Sequence, residues 1–489
     1  MTHADPDTCY RAVQSRDTRF DGWFFVAVTS TGIYCRPSCP SRTPKRENTR
    51  FFQTAAAAQT QGFRPCLRCR PDTTPGSPEW DVRGDVTARV MRLIADGVVD
   101  REGVAGLARR VGYSSRHLNR VLTEEVGAGA LALARAQRAQ TARTLLECGD
   151  LPIGHVAFAA GFSSVRQFND TIRAVFGCTP SDVRKAVQRR CRRPRYGSDI
   201  VLRLAHRRPF DPAWSLRFLG TRALAGVESQ AGTPEAPRYR RTLMLPHCRG
   251  HVELLAEGGE VSCRLHLPDM RDLTAAVRRC RHLLDLDADP TAVADHLGTD
   301  PVLGPAVRRQ PGLRIPRGVD GFEIAARTVI GQQVSVAGAR RTAAKIVDDM
   351  GGRPESPPGW PDRTFPDAAV LAAADPASLG MPRTRGAALV ALAHKVDKGE
   401  LDLGPGADRA ATAARLLAID GIGPWTASLV ALRALGDPDA FCAGDLGVRR
   451  GLARLGADPD QVVTQRWSPW RAYAMAHIWD AASAPEPKR

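Results

Sequence analysis

Thr31-Gly32-Ile33-Tyr34-Cys35-Arg36-Pro37-Ser38-Cys39 and, after 26 intervening residues, Cys66-Leu67-Arg68-Cys69 decide the fold of the N-terminal region. Each close pair can chelate one ion, and the intervening chain is long enough to fold back and complete a tetrahedron, so Cys35, Cys39, Cys66 and Cys69 are expected to bind one Zn²⁺. On spacing alone two readings stay open. One is a plain zinc ribbon. The other follows from charge: four thiolates on Zn²⁺ leave a net charge of −2, so a sulfur within reach of solvent would be an electron-rich nucleophile. Methylating one sulfur would cut that charge to −1 and weaken repulsion from DNA phosphates. The other eight cysteines (9, 148, 178, 191, 248, 263, 280, 442) show no pairing and read as core or incidental.

Outward from this cluster, 489 residues with 43% hydrophobic and 25% charged composition imply several domains. No apolar run approaches the roughly 18 residues that span a bilayer, and the start MTHADPDTCYRAVQ lacks a signal core. Membrane association is therefore not expected, and the expected location is cytoplasmic, with the nucleoid, where thiols stay reduced. Net charge is 69 − 52 = +17, of which residues 1–196 hold 31 − 18 = +13. A solvated basic surface is the plain reading, but such an asymmetry more often marks a polyanion-binding half, nucleic acid being the commonest polyanion. Linker chemistry at Pro71–Pro78 and the basic run Arg189–Arg195 suggest boundaries; the proline-rich Pro354–Pro366 reads as a surface loop, and the tail after Ala484 as unstructured.

Between the two linkers the sequence repeats. Gly112-Tyr113-Ser114-Ser115 recurs 49 residues later as Gly161-Phe162-Ser163-Ser164, each copy after one short apolar helix and before another, with Leu131–Leu146 as connecting helix. Helical pairs alone would suit a tandem hairpin without DNA. The polar starts of both second helices, with Ser114, Arg116, Ser164, Arg166 and Gln167, instead match recognition helices, which meet DNA through their first turns. With the closing Phe176-Gly177-Cys178-Thr179-Pro180-Ser181-Asp182-Val183-Arg184, residues 85–187 resemble the AraC-type transcription regulators.

The flanks of the cysteine set, Asp21-Gly22-Trp23-Phe24-Phe25-Val26-Ala27-Val28, Arg46-Glu47-Asn48 and Gly62-Phe63-Arg64-Pro65, resemble the N-terminal domain of the Ada family of methylphosphotriester-repair regulators. The resemblance implies that Cys35 accepts a methyl group from an Sp-methylphosphotriester while the other three cysteines remain ligands. It also implies DNA contacts from Thr31, Arg42 and Arg64, and RNA polymerase as a further partner. Pro40 stands where the family has another arginine contact, so one phosphate clamp is expected to be missing. The family's alkylguanine domain carries Pro-Cys-His-Arg, and Pro246-His247-Cys248-Arg249 has another order, so Cys248 reads as incidental and that activity as absent.

In the C-terminal half, Gly421-Ile422-Gly423 lies between helical patterns, where glycines let backbone N–H groups approach a phosphate. Asp445 follows 24 residues after Gly421, and an N-cap is its plainest reading. Together with Val329-Ile330-Gly331-Gln332-Gln333-Val334-Ser335, Leu379-Gly380-Met381-Pro382 and Trp467–Trp479, the pattern resembles helix-hairpin-helix glycosylases of the AlkA-type 3-methyladenine DNA glycosylase II family. Pro209-Phe210-Asp211-Pro212 with Trp214 looks like the start of that family's N-terminal subdomain. The resemblance implies Asp445 as the carboxylate that stabilises oxocarbenium charge, Phe218, Trp425 and Trp479 as the base pocket, and Gln333 as the duplex wedge. Leu429 and Leu446 replace pocket tyrosines, which implies a different lesion range, while Trp360 and Trp467 read as core.

The expected fold is multidomain: a small zinc-bound α+β domain (1–75), an all-α tandem helix-turn-helix domain (82–187), a small α/β subdomain (200–285) and an all-α helix-hairpin-helix glycosylase domain (286–484). The expected function is alkylation repair, by methyl transfer to Cys35 and excision of bases such as 3-methyladenine, joined to transcription regulation of the adaptive response. The competing reading is a regulator with a structural zinc site and an inactive glycosylase domain.

Overall fold

The computed structural model describes residues 5–69, 71, 86–148, 151–188 and 199–483. Residues 72–78 of the first linker, the basic run Arg189–Arg195 and the tail from Ala484 lie outside them. Among the described residues no helix is long and apolar enough to cross a membrane. The chain groups into two units: 1–206 with 245–248 and 266–278, and 207–244 with 249–265 and 279–489.

In the first unit, β1 (Phe25–Val28), β2 (Ile33–Cys35), β3 (Thr49–Phe52) and β4 (Arg64–Pro65) form a sheet in the order β3-β1-β2-β4. β2 and β4 run parallel with Tyr34 opposite Pro65, and the Cys66 N–H donates to the Tyr34 carbonyl at 2.9 Å. This register sets the two cysteine pairs side by side. The helix Ala55–Thr60 opens with four alanines, whose small side chains let it touch two neighbours at once. Ala58 packs with Phe25, Tyr34 and Phe63 of the sheet layer, while Ala56 and Ala57 join Val90 and Leu93 of the preceding helix Val86–Ala95 and Leu118 and Leu122 of the first helix-turn-helix. Thr54 caps the alanine-rich helix, and its hydroxyl also donates to the Val126 carbonyl at 3.2 Å. The metal-binding layer and the first helix-turn-helix therefore share a core, a packing the sequence spacing did not suggest.

The helical pairs are Val98–Arg110 with Ser115–Val126 and Ile153–Ala159 with Val165–Phe176, joined by Ala130–Cys148. The second turn is one residue longer than the first. Ser114 caps its helix two residues after Gly112, whereas Ser164 caps three residues after Gly161, so the repeat is 49 residues at the turn and 50 at the closing glycines, 127 and 177.

In the second unit, β6 (Glu228–Gly232), β7 (Pro237–Met244), β8 (Arg249–Glu257) and β9 (Glu260–His266) follow β5 (Ile200–Arg203) in the chain and are ordered β9-β8-β7-β6. β6 with β7 and β7 with β8 are antiparallel, because turns of a few residues connect them. The subdomain is thus α+β and not the α/β expected. Helices fill the rest. Pro424–Arg433 is wedged between two apolar clusters, with Ala427 and Val430 facing Val329, Leu389 and Leu416, and Ala431 and Leu432 facing Val448, Met475 and Ile478.

One expectation about side chains needs correction. Trp467 is core at 1% exposure, but Trp360 is only half-buried in the irregular loop, with Arg240 over its ring at 5.1 Å. Cys263 and Cys280 are free and fully buried, in keeping with the core reading, and strand β9 and the helix Leu273–Leu283 bring them within hydrogen-bonding reach of each other.

His477 sits on the buried face of Arg471–Ser483, the helix that carries Trp479. Burial, with help from Arg309, pushes its pKa down to about 4. The unfolded chain binds the extra proton between about pH 6.5 and 4, so His477 contributes full stability above pH 6.5 and loses it as pH falls. Chemical denaturation across this window should show wild type losing roughly 3 kcal/mol more than His477→Gln; parallel curves would rule this out.

Candidate functional site

The four cysteine sulfurs lie within 4.8 Å of one another, near the ~3.8 Å spacing that ~2.3 Å Zn–S bonds impose on a tetrahedron. Cys35 ends β2, Cys39 closes the following turn by donating its N–H to the Arg36 carbonyl at 3.1 Å, and Cys66 follows β4. Asp21, itself buried, holds that turn by accepting from the Ser38 N–H (3.1 Å) and hydroxyl (2.6 Å) and by pairing with Arg36 at 3.3 Å. Hydrogen bonds with Cys39 and Cys69, and then burial, drive the Cys35 thiol far up, while bonds from Cys35 and Cys69 drive Cys39 down. Thiolates this close repel one another unless a cation lies between them, so the donor set fits Zn²⁺. Cys35 is 9% exposed and Cys39 more so.

Thr31, Arg42 and Arg64 are exposed around this centre, as is Pro40. The Arg64 N–H donates to the Gly32 carbonyl at 2.8 Å, setting Arg64 beside Thr31. Its guanidinium also lies against Gly177, the C-cap of the second recognition helix, where a Cβ would stand 2.5 Å from Arg64 Nη1. The hydroxyls of Ser114 and Ser164 accept from the N–H groups of His117 and Gln167, both at 3.2 Å. Both serines therefore act as N-caps, and Arg116, Arg166 and Gln167 project from exposed positions in the turns they cap.

In the second unit Asp445 is both cap and pocket residue. Its Oδ1 accepts from the Val448 N–H at 3.0 Å and from Trp479 Nε1 at 3.1 Å, and its Oδ2 faces Trp425 Nε1 at 3.4 Å. One carboxylate thus orients both tryptophans. Gly447 makes room for this: a Cβ there would lie 2.9 Å from Asp445 Oδ1 and 3.2 Å from Trp479 Cδ1. Phe218 stacks between Trp214 and Trp479, at 5.4 and 5.7 Å between ring centroids. Leu429 lines the same cluster, whereas Leu446 is exposed.

The hairpin Gly421-Ile422-Gly423 opens the helix Pro424–Arg433, with Ile422 buried and both glycines exposed; Gly421 at φ 84° needs the missing Cβ. Gln332 Nε2 donates to the Gly421 carbonyl and to Thr426 Oγ1, both at 2.9 Å, tying the hairpin to the loop of Gln333. Gln333 is exposed at φ 54°, a left-handed conformation that turns this side chain out at the tip. Sequence reasoning missed the roles of Gly447 and Arg222, and named Trp214 only as a subdomain marker, not as a ring stacked on Phe218. Gly447 stands two residues after Asp445 in the same motif, and Arg222 lies only four residues past Phe218, one helical turn, so spacing from the named residues could have found both.

Comparison with known proteins bears on both units. Residues 8–72 match the metal-binding domain of Ada, 107–186 a helix-turn-helix domain and 201–320 the AlkA N-terminal domain. The probable bifunctional transcriptional activator/DNA repair enzyme AlkA of Mycobacterium tuberculosis is 50% identical over 488 residues, covering 99% of this chain and 98% of that protein. The chain belongs to this bifunctional Ada/AlkA family. Within the family's glycosylase half, DNA-3-methyladenine glycosylase 2 of Escherichia coli is 35% identical over 278 residues, covering 55% of this chain and 94% of that protein. The solved 3-methyladenine DNA glycosylase from Archaeoglobus fulgidus shares the fold, with a TM-score of 0.50 at 23% identity over 57% of this chain and 98% of its own.

With the Ada metal-binding match, the four sulfurs form a structural zinc site. Metal analysis should find one zinc per chain. Chelation should lower the melting of the first unit by roughly 10 °C or more, because the shared core loses its metal-tied layer. An unchanged first-unit transition after zinc removal would contradict this.

Proposed function

We propose that the chain repairs alkylated DNA by two separate chemistries and couples one of them to transcription. The modules are 1–75 for methyl acceptance, 82–187 for promoter reading, and 200–285 with 286–484 for base excision, acting on double-stranded DNA with RNA polymerase as the regulatory partner. The observation that carries the excision reading is the Asp445 carboxylate fixed between two indole N–H groups at a helix N-terminus.

An N-alkylated purine is cationic and departs as a neutral base, so no strong general acid is needed. Asp445 stabilises the oxocarbenium charge that develops on the sugar as the C1′–N bond breaks, and water completes the addition at C1′. Trp425, Trp479 and Phe218 supply stacking for the flipped base, the exposed Gln333 fills the vacated stack, and Gly421 and Gly423 hold backbone phosphate.

In the first unit, zinc keeps its four ligands deprotonated when bound. The Cys35 sulfur forms a bond to the methyl carbon of the phosphotriester, and the C–O bond breaks with its electron pair retained on the phosphate. Thr31, Arg42 and Arg64 orient the backbone. The site then carries one negative charge fewer beside DNA, which favours binding by the helix-turn-helix pair and its Arg116 and Arg166.

After exposure to methylphosphotriester DNA, mass mapping should place a single +~14 Da on Cys35. A gain on Cys39, the more exposed sulfur, or any gain in Cys35→Ser, would overturn the assignment. Asp445→Asn keeps the helix cap but not the charge, so release of 3-methyladenine should fall about a hundredfold or more, with DNA affinity retained. Undiminished release would leave Asp445 as a cap alone.

A further inference from the structure

The base pocket already contains a cation where the excision chemistry would bring another. The Arg222 guanidinium carbon lies 3.7 Å from the centre of the Phe218 ring, the position a cationic base would take for cation–π attraction. Arg222 is held there by donating to the Phe218 carbonyl (3.3 Å) and the Thr221 hydroxyl (3.1 Å), while Arg327 Nη2 anchors the Arg222 carbonyl at 2.9 Å. Arg327 is in turn fixed by Glu228 (2.9 Å) and Glu323 (2.8 Å), so the backbone under Arg222 is braced by a buried ion network.

A second guanidinium, Arg433, approaches Phe218 to 5.8 Å, and its Nε donates only to the Pro316 carbonyl at 3.1 Å. Neither arginine forms an ion pair among the described residues; the carboxylate felt by Arg222 is Asp445. Burial weakens the proton affinity of Arg222, opposed by Asp445, and burial with repulsion from Arg327 and Arg222 weakens that of Arg433; both still titrate near 10 and are charged at neutral pH. Two guanidinia thus face the Phe218 ring, with Asp445 acting on Arg222 and the buried Glu228 on Arg433.

We infer that Arg222 is a specificity-determining residue that sets how the pocket discriminates between cationic and neutral damaged bases. This rests on the excision reading given for Asp445. A cationic base must displace or repel the guanidinium. A neutral base gains from it twice: a carbonyl or ring nitrogen can accept its hydrogen bonds, and the negative charge left on the base when the C1′–N pair moves to nitrogen is stabilised beside it. That base is then protonated from solvent while water adds to C1′ and gives up one proton, so charge and atoms balance in both cases.

The test uses the full-length protein and two duplexes, one with 3-methyladenine, whose nucleoside is cationic, and one with hypoxanthine, which is neutral. Single-turnover release constants are measured for wild type, Arg222→Met, Arg222→Lys and Asp445→Asn. Arg222→Met should raise the ratio of 3-methyladenine to hypoxanthine release about tenfold or more, while Arg222→Lys, which keeps the charge, should stay within about threefold of wild type. An equal slowing of both bases in Arg222→Met would reduce Arg222 to a structural role. The same ratio change in Arg222→Lys would assign selectivity to shape and not charge, and a wild type that releases 3-methyladenine but no hypoxanthine would also overturn the inference. Asp445→Asn should depress both bases together; if it does not, the excision reading fails while the ratio still reports on Arg222.

Discussion

A single carboxylate organises the second unit's chemistry. Asp445 satisfies the start of the helix Leu446–Arg454 and accepts from two indoles that come from different helices, Pro424–Arg433 and Arg471–Ser483. Holding an anion in that place requires the three helices to meet closely. Gly447 and Gly451 permit it, since a Cβ at 451 would stand 2.1 Å from the Ile478 carbonyl. Helix cap and the anchor for both indoles are thus one side chain, and moving any of the three helices would disturb both.

The first unit depends on a comparable economy. A two-residue parallel pairing of β2 and β4 brings Cys35 beside Cys66, and an alanine-rich helix of six residues serves the sheet with one face and the first helix-turn-helix with another. Metal site and DNA-reading helices therefore rest on a common core. Arg64 extends that link to Gly177, at the end of the second recognition helix. Under the proposed methyl transfer, a charge lost at the sulfurs would therefore act on the body that also carries both helix-turn-helix turns, within the short range of electrostatic control.

What the sequence made legible was local. Cysteine spacing located the metal set, Gly-aromatic-Ser-Ser marked both helix-turn-helix turns, and Gly-x-Gly with an aspartate downstream located the hairpin and its cap. What it hid depended on tertiary contact. The extra residue in the second turn shows only in which serine caps, and the antiparallel order of β6 to β8 only in how the strands pair. The meeting of Cys263 with Cys280 joins a strand to a helix whose sequences carry no shared motif. Arg222 reads as an ordinary helix-end arginine until Phe218 is seen beneath it. The cap reading of Asp445 was legible in its position; that the same carboxylate also accepts from two indoles was not.

The most direct test of two independent chemistries in one chain is a duplex carrying both a methylphosphotriester and 3-methyladenine, offered in excess. Intact-protein mass and free base are followed together. Methyl capture should stop at one per chain while base release continues through many turnovers, and Cys35→Ser should abolish the first without slowing the second. Base release that halts when the methyl acceptor is consumed, or that fails in Cys35→Ser, would contradict the account.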